Sequence, residues 1–186
     1  MKMHAFKSFA PALILLASCQ DLKSGSINIP EYPNVEEVYQ SQLKSLATPK
    51  VNKEVSLGDK KEKDTIEMDT VKWKRELSFL VDVNPNSPEY VGAFEVTHEG
   101  KRTSLKLQEG ENGILKHLSI TSQDEGYWSL QATIHEDKDI YSYHREVSAA
   151  FENDLITNYQ IEGYQKMMFR DTVWFSIKGE VLLSTQ

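Results

Sequence analysis

His98-Glu99 and His135-Glu136 are two places where this chain sets a ring nitrogen beside a carboxylate. Brought together by adjacent strands, and joined by Asp137 and Asp139, they could ligate a divalent ion. The spacing argues against it. No histidine falls in H-E-x-x-H, and "HEDKD" is too short for an EF-hand loop and lacks its Gly and distal Glu. Two polar hairpin tips are the expectation, with no metal. No G-x-S-x-G surrounds a serine, and no Gly-rich segment joins a strand to a helix. Hydrolase elbow and phosphate loop are therefore both missing from the motif inventory. The carboxylate pairs Glu109/Glu111 and Asp124/Glu125 fall in turn-like stretches, where solvation is the default. The expectation is a protein that is not an enzyme and takes no cofactor.

The single cysteine carries a different chemistry. Lys2, His4 and Lys7 give a basic start, Phe9 to Ala17 an apolar run interrupted by Pro11, and Ala17 and Ser18 lead to Cys19. Basic, apolar, then small is the pattern of a secretory signal peptide, and the run is far shorter than the roughly 20 residues that span a bilayer. Leu16-Ala17-Ser18-Cys19 resembles the bacterial lipobox, in which a peptidase cuts before a cysteine that carries acyl chains. Gln20, in place of an aspartate, points to the outer membrane. At about 0.8 kcal/mol per buried methylene, two or three chains make a durable anchor. No other cysteine exists to supply a disulfide or a thiolate.

The chain has 21 Lys and Arg against 28 Asp and Glu, a formal net charge of −7. Such a balance excludes nucleic acid as the expected partner, because phosphate neutralisation needs basic patches. It also leaves membrane attachment to the acyl chains. With 39% hydrophobic residues the chain can form a compact core, and no second apolar run approaches spanning length.

The elements follow from periodicity. Residues 20–33 are rich in Ser, Gly and Pro and read as a tether. Asn34 with Glu37 forms a capping box, and Val35, Val38, Tyr39, Gln42, Leu43 and Leu46 keep helical spacing up to Pro49. Residues 50–64 are charged and aperiodic, the mark of a mobile segment. A second helix is expected after Asp64, with Ile66, Thr70, Trp73, Leu77 and Leu80 as its apolar stripe, ended by "NPNSP". From Tyr90 onward the period is two, and short Gly/Asp/Asn turns separate the runs, as in an antiparallel meander. The expected fold is α+β: N-terminal helices followed by a curved antiparallel sheet of about seven strands packed on the Trp73 helix. A closed barrel or two-sheet sandwich is the alternative. The expected division is a signal peptide at 1–18, a tether with a short helix at 19–64, and the helix-plus-sheet domain at 65–186.

The order of these pieces resembles a family of small Bacteroidota-type lipoproteins. That family shares a lipobox, a W-x-x-E-L helix, an Asn-containing turn and a closing meander. Trp73, Glu76 and Leu77 match the helix, Asp82 to Tyr90 the turn, and Ile161 to Val181 the closing hairpin. The resemblance implies a fold and an address, with no activity attached.

The expected function is that of a lipid-anchored envelope protein whose sheet binds a partner protein or envelope component. The alternative is a carrier of a lipid or other apolar ligand between helix and sheet. Trp73, Tyr141, Tyr143, Met167 and Met168 are the candidate lining, apolar or adaptable side chains that would suit such a pocket. Tyr127, Tyr159, Tyr164 and Trp174 are further aromatics that could face a groove or fill strand faces.

Overall fold

A computed structural model of the chain describes residues 32–46, 48–123 and 126–182. Cys19 with its lipobox, the tether up to residue 31, and the Asp124/Glu125 pair lie outside the described residues.

Asn34 caps the first helix, with a side-chain bond to Glu37 in place of the backbone half of a capping box. The Asn34 side chain accepts from the Glu37 N–H at 3.1 Å and donates back to the Glu37 carboxylate at 3.1 Å, opening α1 (Val35–Ser45). One face of α1 buries Val35, Tyr39 and Gln42. Gln42 is a polar residue with no exposure at all. Its amide satisfies both of its groups at one place, donating to the Asp154 carbonyl at 2.7 Å and accepting from the Ile156 N–H at 2.8 Å. That two-point clamp docks α1 onto the domain.

Residues 50–67 correct the expectation of a mobile segment. They form a hairpin, β1 (Lys50–Leu57) and β2 (Lys60–Glu67), in register from Lys50↔Glu67 to Leu57↔Lys60. Gly58, at φ +57, opens its two-residue turn, a geometry that glycine adopts without strain. β2 is exposed along nearly its whole length, with only Ile66 half-buried. A strand held by main-chain bonds to one neighbour needs no apolar alternation, and charges on such an edge discourage further pairing. The boundary expected at 64/65 therefore falls inside β2.

The Trp73 helix starts later than expected. Asp69, not Asp64, caps it, accepting from the Lys72 N–H at 2.8 Å. It runs as α2 (Thr70–Glu76) and, past Leu77, as α3 (Ser78–Asp82). Trp73, Leu77 and Leu80 are buried as the stripe requires, whereas Ile66 belongs to β2 and Thr70 is exposed.

A turn of 3-10 helix (Pro88–Tyr90) leads into a meander of seven strands. These are β3 (Phe94–Glu99), β4 (Arg102–Leu107), β5 (Leu115–Ser122), β6 (Tyr127–Asp137), β7 (Tyr141–Glu152), β8 (Leu155–Met167) and β9 (Val173–Leu182). β1 adds antiparallel to β9, so the order is β2-β1-β9-β8-β7-β6-β5-β4-β3. Among the described residues this is one open sheet of nine strands, not about seven, and not a closed barrel or sandwich. The architecture is α+β in the broad sense but mainly β. Its helices are not gathered at the N-terminus, because two strands separate α1 from α2.

One sheet face carries the core beneath the helices, including Leu118, Leu130, Val147 and Tyr159. Tyr159 donates to Glu76 at 2.5 Å, and Lys53 pairs with the same carboxylate at 2.6 Å, so α2 is tied to β8 and β1 at once. Two glycines permit the close packing. Gly179 lies opposite Tyr159, and a Cβ there would overlap its ring; a Cβ at Gly163 would overlap the His144 carbonyl. A side chain can turn aside and a strand backbone cannot. Gly179→Ala is expected to cost about 1 to 3 kcal/mol, and Gly163→Ala to lie at the top of that range or above it, in urea unfolding. Equal midpoints for both variants and wild type would show that the strands are less tightly set.

Candidate functional site

The sheet face away from the helices is polar, and the strand registers arrange it in three rows. His135, His144, Tyr164 and Trp174 stand opposite one another across β6, β7, β8 and β9. Their rings form a continuous series, with centroids 5.8, 5.7 and 5.1 Å apart. Two residues along, Thr133, Glu146, Glu162 and Ser176 form the second row. The third is Gln131, Ser148, Gln160 and Lys178. Alternation places every member of a row on one face, because successive side chains of a strand point to opposite sides.

Three clefts of about 300, 400 and 320 Å³ lie over these rows. The first shares Glu146 and Glu162 with the second, and Ser148 and Gln160 with the third. They make one interrupted trough. Trp174, 61% exposed, closes the aromatic end, and Gly58 beside it adds no side chain.

The centre of the trough is electrostatically unusual. Glu146 and Glu162 are directly cross-strand, an arrangement in which like charges repel. Glu146 accepts from the Thr133 hydroxyl at 3.0 Å and lies 2.9 Å from His144 Nε2. Glu162 accepts from the Gln160 amide at 2.6 Å. Nearby His117 has its pKa pushed down, first by burial and then by the Arg102 charge, so it is a neutral ring at pH 7. The trough thus presents carboxylates, amides and hydroxyls for hydrogen bonding, bordered by rings for stacking. Such a surface suits a ligand rich in hydroxyl or amide groups.

The His98-Glu99 and His135-Glu136 pairs are not brought together. His98, near the end of β3, bonds the Thr103 hydroxyl at 3.1 Å, while His135 sits on β6, with β4 and β5 between them in the sheet. Glu109 and Glu111 are exposed in the loop after β4.

The five expected lining residues do not share one cleft, although the Tyr141 and Tyr143 rings stack with centroids 6.3 Å apart. Trp73 is 1% exposed in the core and lines no cleft. Tyr143 is half-buried on the helix side, with the Arg145 guanidinium 5.3 Å from its ring centre. Tyr141, Met167 and Met168 line a cleft of about 490 Å³ between the β6–β7 and β8–β9 turns, together with Tyr164 and Trp174. The Tyr141 hydroxyl donates to Glu136 at 2.6 Å. A cleft of about 400 Å³ does open between helix and sheet, but Phe79, Ile134, Val147, Ile161, Phe175 and Ile177 supply its apolar wall. Of the other aromatics, Tyr159 belongs to the core and Tyr127 bonds Glu152 at 2.6 Å.

The residues that sequence reasoning did not single out are His144, Glu146 and Glu162. For the first two the signal was the alternation of Tyr141, Tyr143, Val147, Ala149 and Phe151 in β7, which puts His144 and Glu146 on the opposite face; for Glu162 it was its place between Ile161 and Gly163. No family model, no curated protein and no solved structure matches the chain.

Proposed function

We propose that this is an envelope lipoprotein of the Bacteroidota type, anchored through Cys19, whose non-enzymatic domain binds an envelope component on its helix-free face. The trough carries this reading: three aligned rows of stacking and hydrogen-bonding side chains on a face that no part of the described chain covers. A polar face serving only solubility has no need of a continuous aromatic row ending in an exposed tryptophan.

The test is photo-cross-linking in cells, with the reactive side chain carried at Gln131 in the trough or at Lys72 on the exposed side of α2. The expected result is a discrete adduct from position 131 and none from 72. Adducts from 72 alone would overturn the assignment of the face. The intact mass of the membrane-purified protein reads the anchor. It is expected to begin at Cys19 with acyl chains added, and Cys19→Ala is expected to lose them and to release or mislocalise the protein.

The carrier reading keeps one specific observation, the apolar cleft between helix and sheet. Its mouth holds the ion pairs Lys53–Glu76 and Arg145–Asp82, which an apolar ligand would have to pass. A stoichiometric lipid retained in the same mass measurement would favour it over the trough.

A further inference from the structure

Five large hydrophobic side chains left exposed gather at one end of the sheet. Ile140 at the β6–β7 turn is 63% exposed, and in the β8–β9 turn Met167, Met168 and Phe169 are 50%, 48% and 98% exposed. Trp174, 61% exposed, stands at the base of the same projection. The two tips are one body, since the Met168 N–H donates to the Ile140 carbonyl at 2.9 Å. Phe169 has φ +60, left-handed backbone that a bulky residue adopts at a cost. Strain that holds a phenyl ring almost wholly in water gains nothing for the isolated fold.

We propose that these two tips insert into a lipid surface, placing Ile140, Met168 and Phe169 at the boundary of headgroups and acyl chains. Three observations select lipid over a protein partner. The apolar groups stand on two turn tips, Phe169 98% exposed and the methionines adaptable in shape, where a protein interface needs matched shape at its buried centre. Trp174 behind them, with Lys138 and Lys166 on the flanks, is the arrangement that suits an interface, ring at headgroup depth and ammonium groups reaching back to water. Local charge is not basic, with Lys138, Lys166 and Arg170 set against Glu136, Asp137, Asp139 and Asp171, so the tip fits a zwitterionic surface without needing an anionic one. The length of the preceding chain agrees. From Cys19 to Tyr32 it can reach at most about 45 Å, and β8, at 13 residues, is about 43 Å long. An anchor at Cys19 and the tips can therefore meet one bilayer. The proposal rests on the anchored reading only for bringing that bilayer near. With the tips inserted, the sheet stands upright and the trough faces along the membrane.

The test uses the full chain with Cys19→Ala, so that tip insertion is read without acyl chains. Phosphatidylcholine vesicles are added, with and without phosphatidylglycerol. Trp73 is buried and Trp128 stacks on Phe151 at 3.7 Å, so a blue shift and quenching by brominated lipid report Trp174. Trp174→Phe is expected to abolish both signals. The combination of Ile140→Ser, Met168→Ser and Phe169→Ser is expected to lower vesicle partitioning at least about tenfold, with an unchanged melting temperature. The apolar run before Cys19 is present in both chains, so their difference belongs to the tip. An unquenched Trp174, or equal partitioning of the two chains, would overturn the proposal. So would tip-dependent dimers in sedimentation without vesicles, which would assign the surface to a second copy. Binding that appears only with phosphatidylglycerol would also overturn it, by showing charge rather than apolar insertion.

Discussion

Trp73→Ala is expected to cost about 3 to 5 kcal/mol, and to lower the melting temperature by roughly 10 °C or more for a domain of this size. The indole is 1% exposed and sits where α2 meets the core beneath the sheet. Its loss leaves a cavity that α1 and the strands cannot both collapse into, because the Gln42 clamp holds α1 in place. Trp73→Phe is expected to be much milder. Among the described residues the indole Nε1 is buried without a hydrogen-bond partner, and removing an unpaired donor recovers part of the lost contact. Denaturant unfolding of both variants checks the pair. Equal losses would mean that Nε1 is satisfied, and no loss in Trp73→Ala would mean that the helix does not pack as described.

The second large effect centres on Glu76. Its carboxylate holds Lys53 and Tyr159 from two strands, with its side chain only 12% exposed. Glu76→Ala leaves a half-buried ammonium and a buried hydroxyl without it, at an expected cost of about 3 to 5 kcal/mol. Glu76→Gln, which can still accept from Tyr159, is expected to lose less. The same cluster sets an alkaline limit. Burial pushes the Tyr159 pKa far above its ordinary value of 10.0, and the Glu76 charge and hydrogen bond push it the same way. Below pH 10 the phenol is neutral folded and unfolded, and its contribution is complete. Above that, the unfolded chain releases the proton while the folded chain keeps it. Stability then falls with pH by about 1.4 kcal/mol per unit for this one group. Urea midpoints between pH 9 and 11 check this, and Tyr159→Phe is expected to flatten the decline. An unchanged slope in that variant would place the alkaline sensitivity elsewhere.

Particular residues show why some of this was legible and some was not. The Asn34–Glu37 cap and the Trp73, Leu77, Leu80 stripe are local devices, with partners three or four residues away, so spacing alone reveals them. The β1–β2 hairpin escaped because its stability comes from Val51↔Val181 and the other pairings with β9, more than a hundred residues distant. Nothing in "KKEKD" records that. The helix start moved from Asp64 to Asp69 for the same reason, since pairing with β1 draws Asp64 to Glu67 into a strand. The candidate lining failed as a set because aromatic and sulfur side chains suit cores, grooves and tips alike. Trp73 went to the core, Tyr143 to the half-buried helix side beside Arg145, and Met168 to a turn tip.

Residue type and spacing alone carried the signals read along the chain: an acidic composition, a lipobox-like run ending at Cys19, the Asn34 cap, and alternation that marks a meander. These depend on residue type and near neighbours only. Tertiary structure decided what register decides. It set nine strands in one open sheet and Glu146 opposite Glu162. It aligned four rings from four strands in one row, and brought the Ile140 and Phe169 turns together at one end. Each of these is a meeting of residues far apart in sequence, fixed by main-chain pairing that carries no side-chain signature.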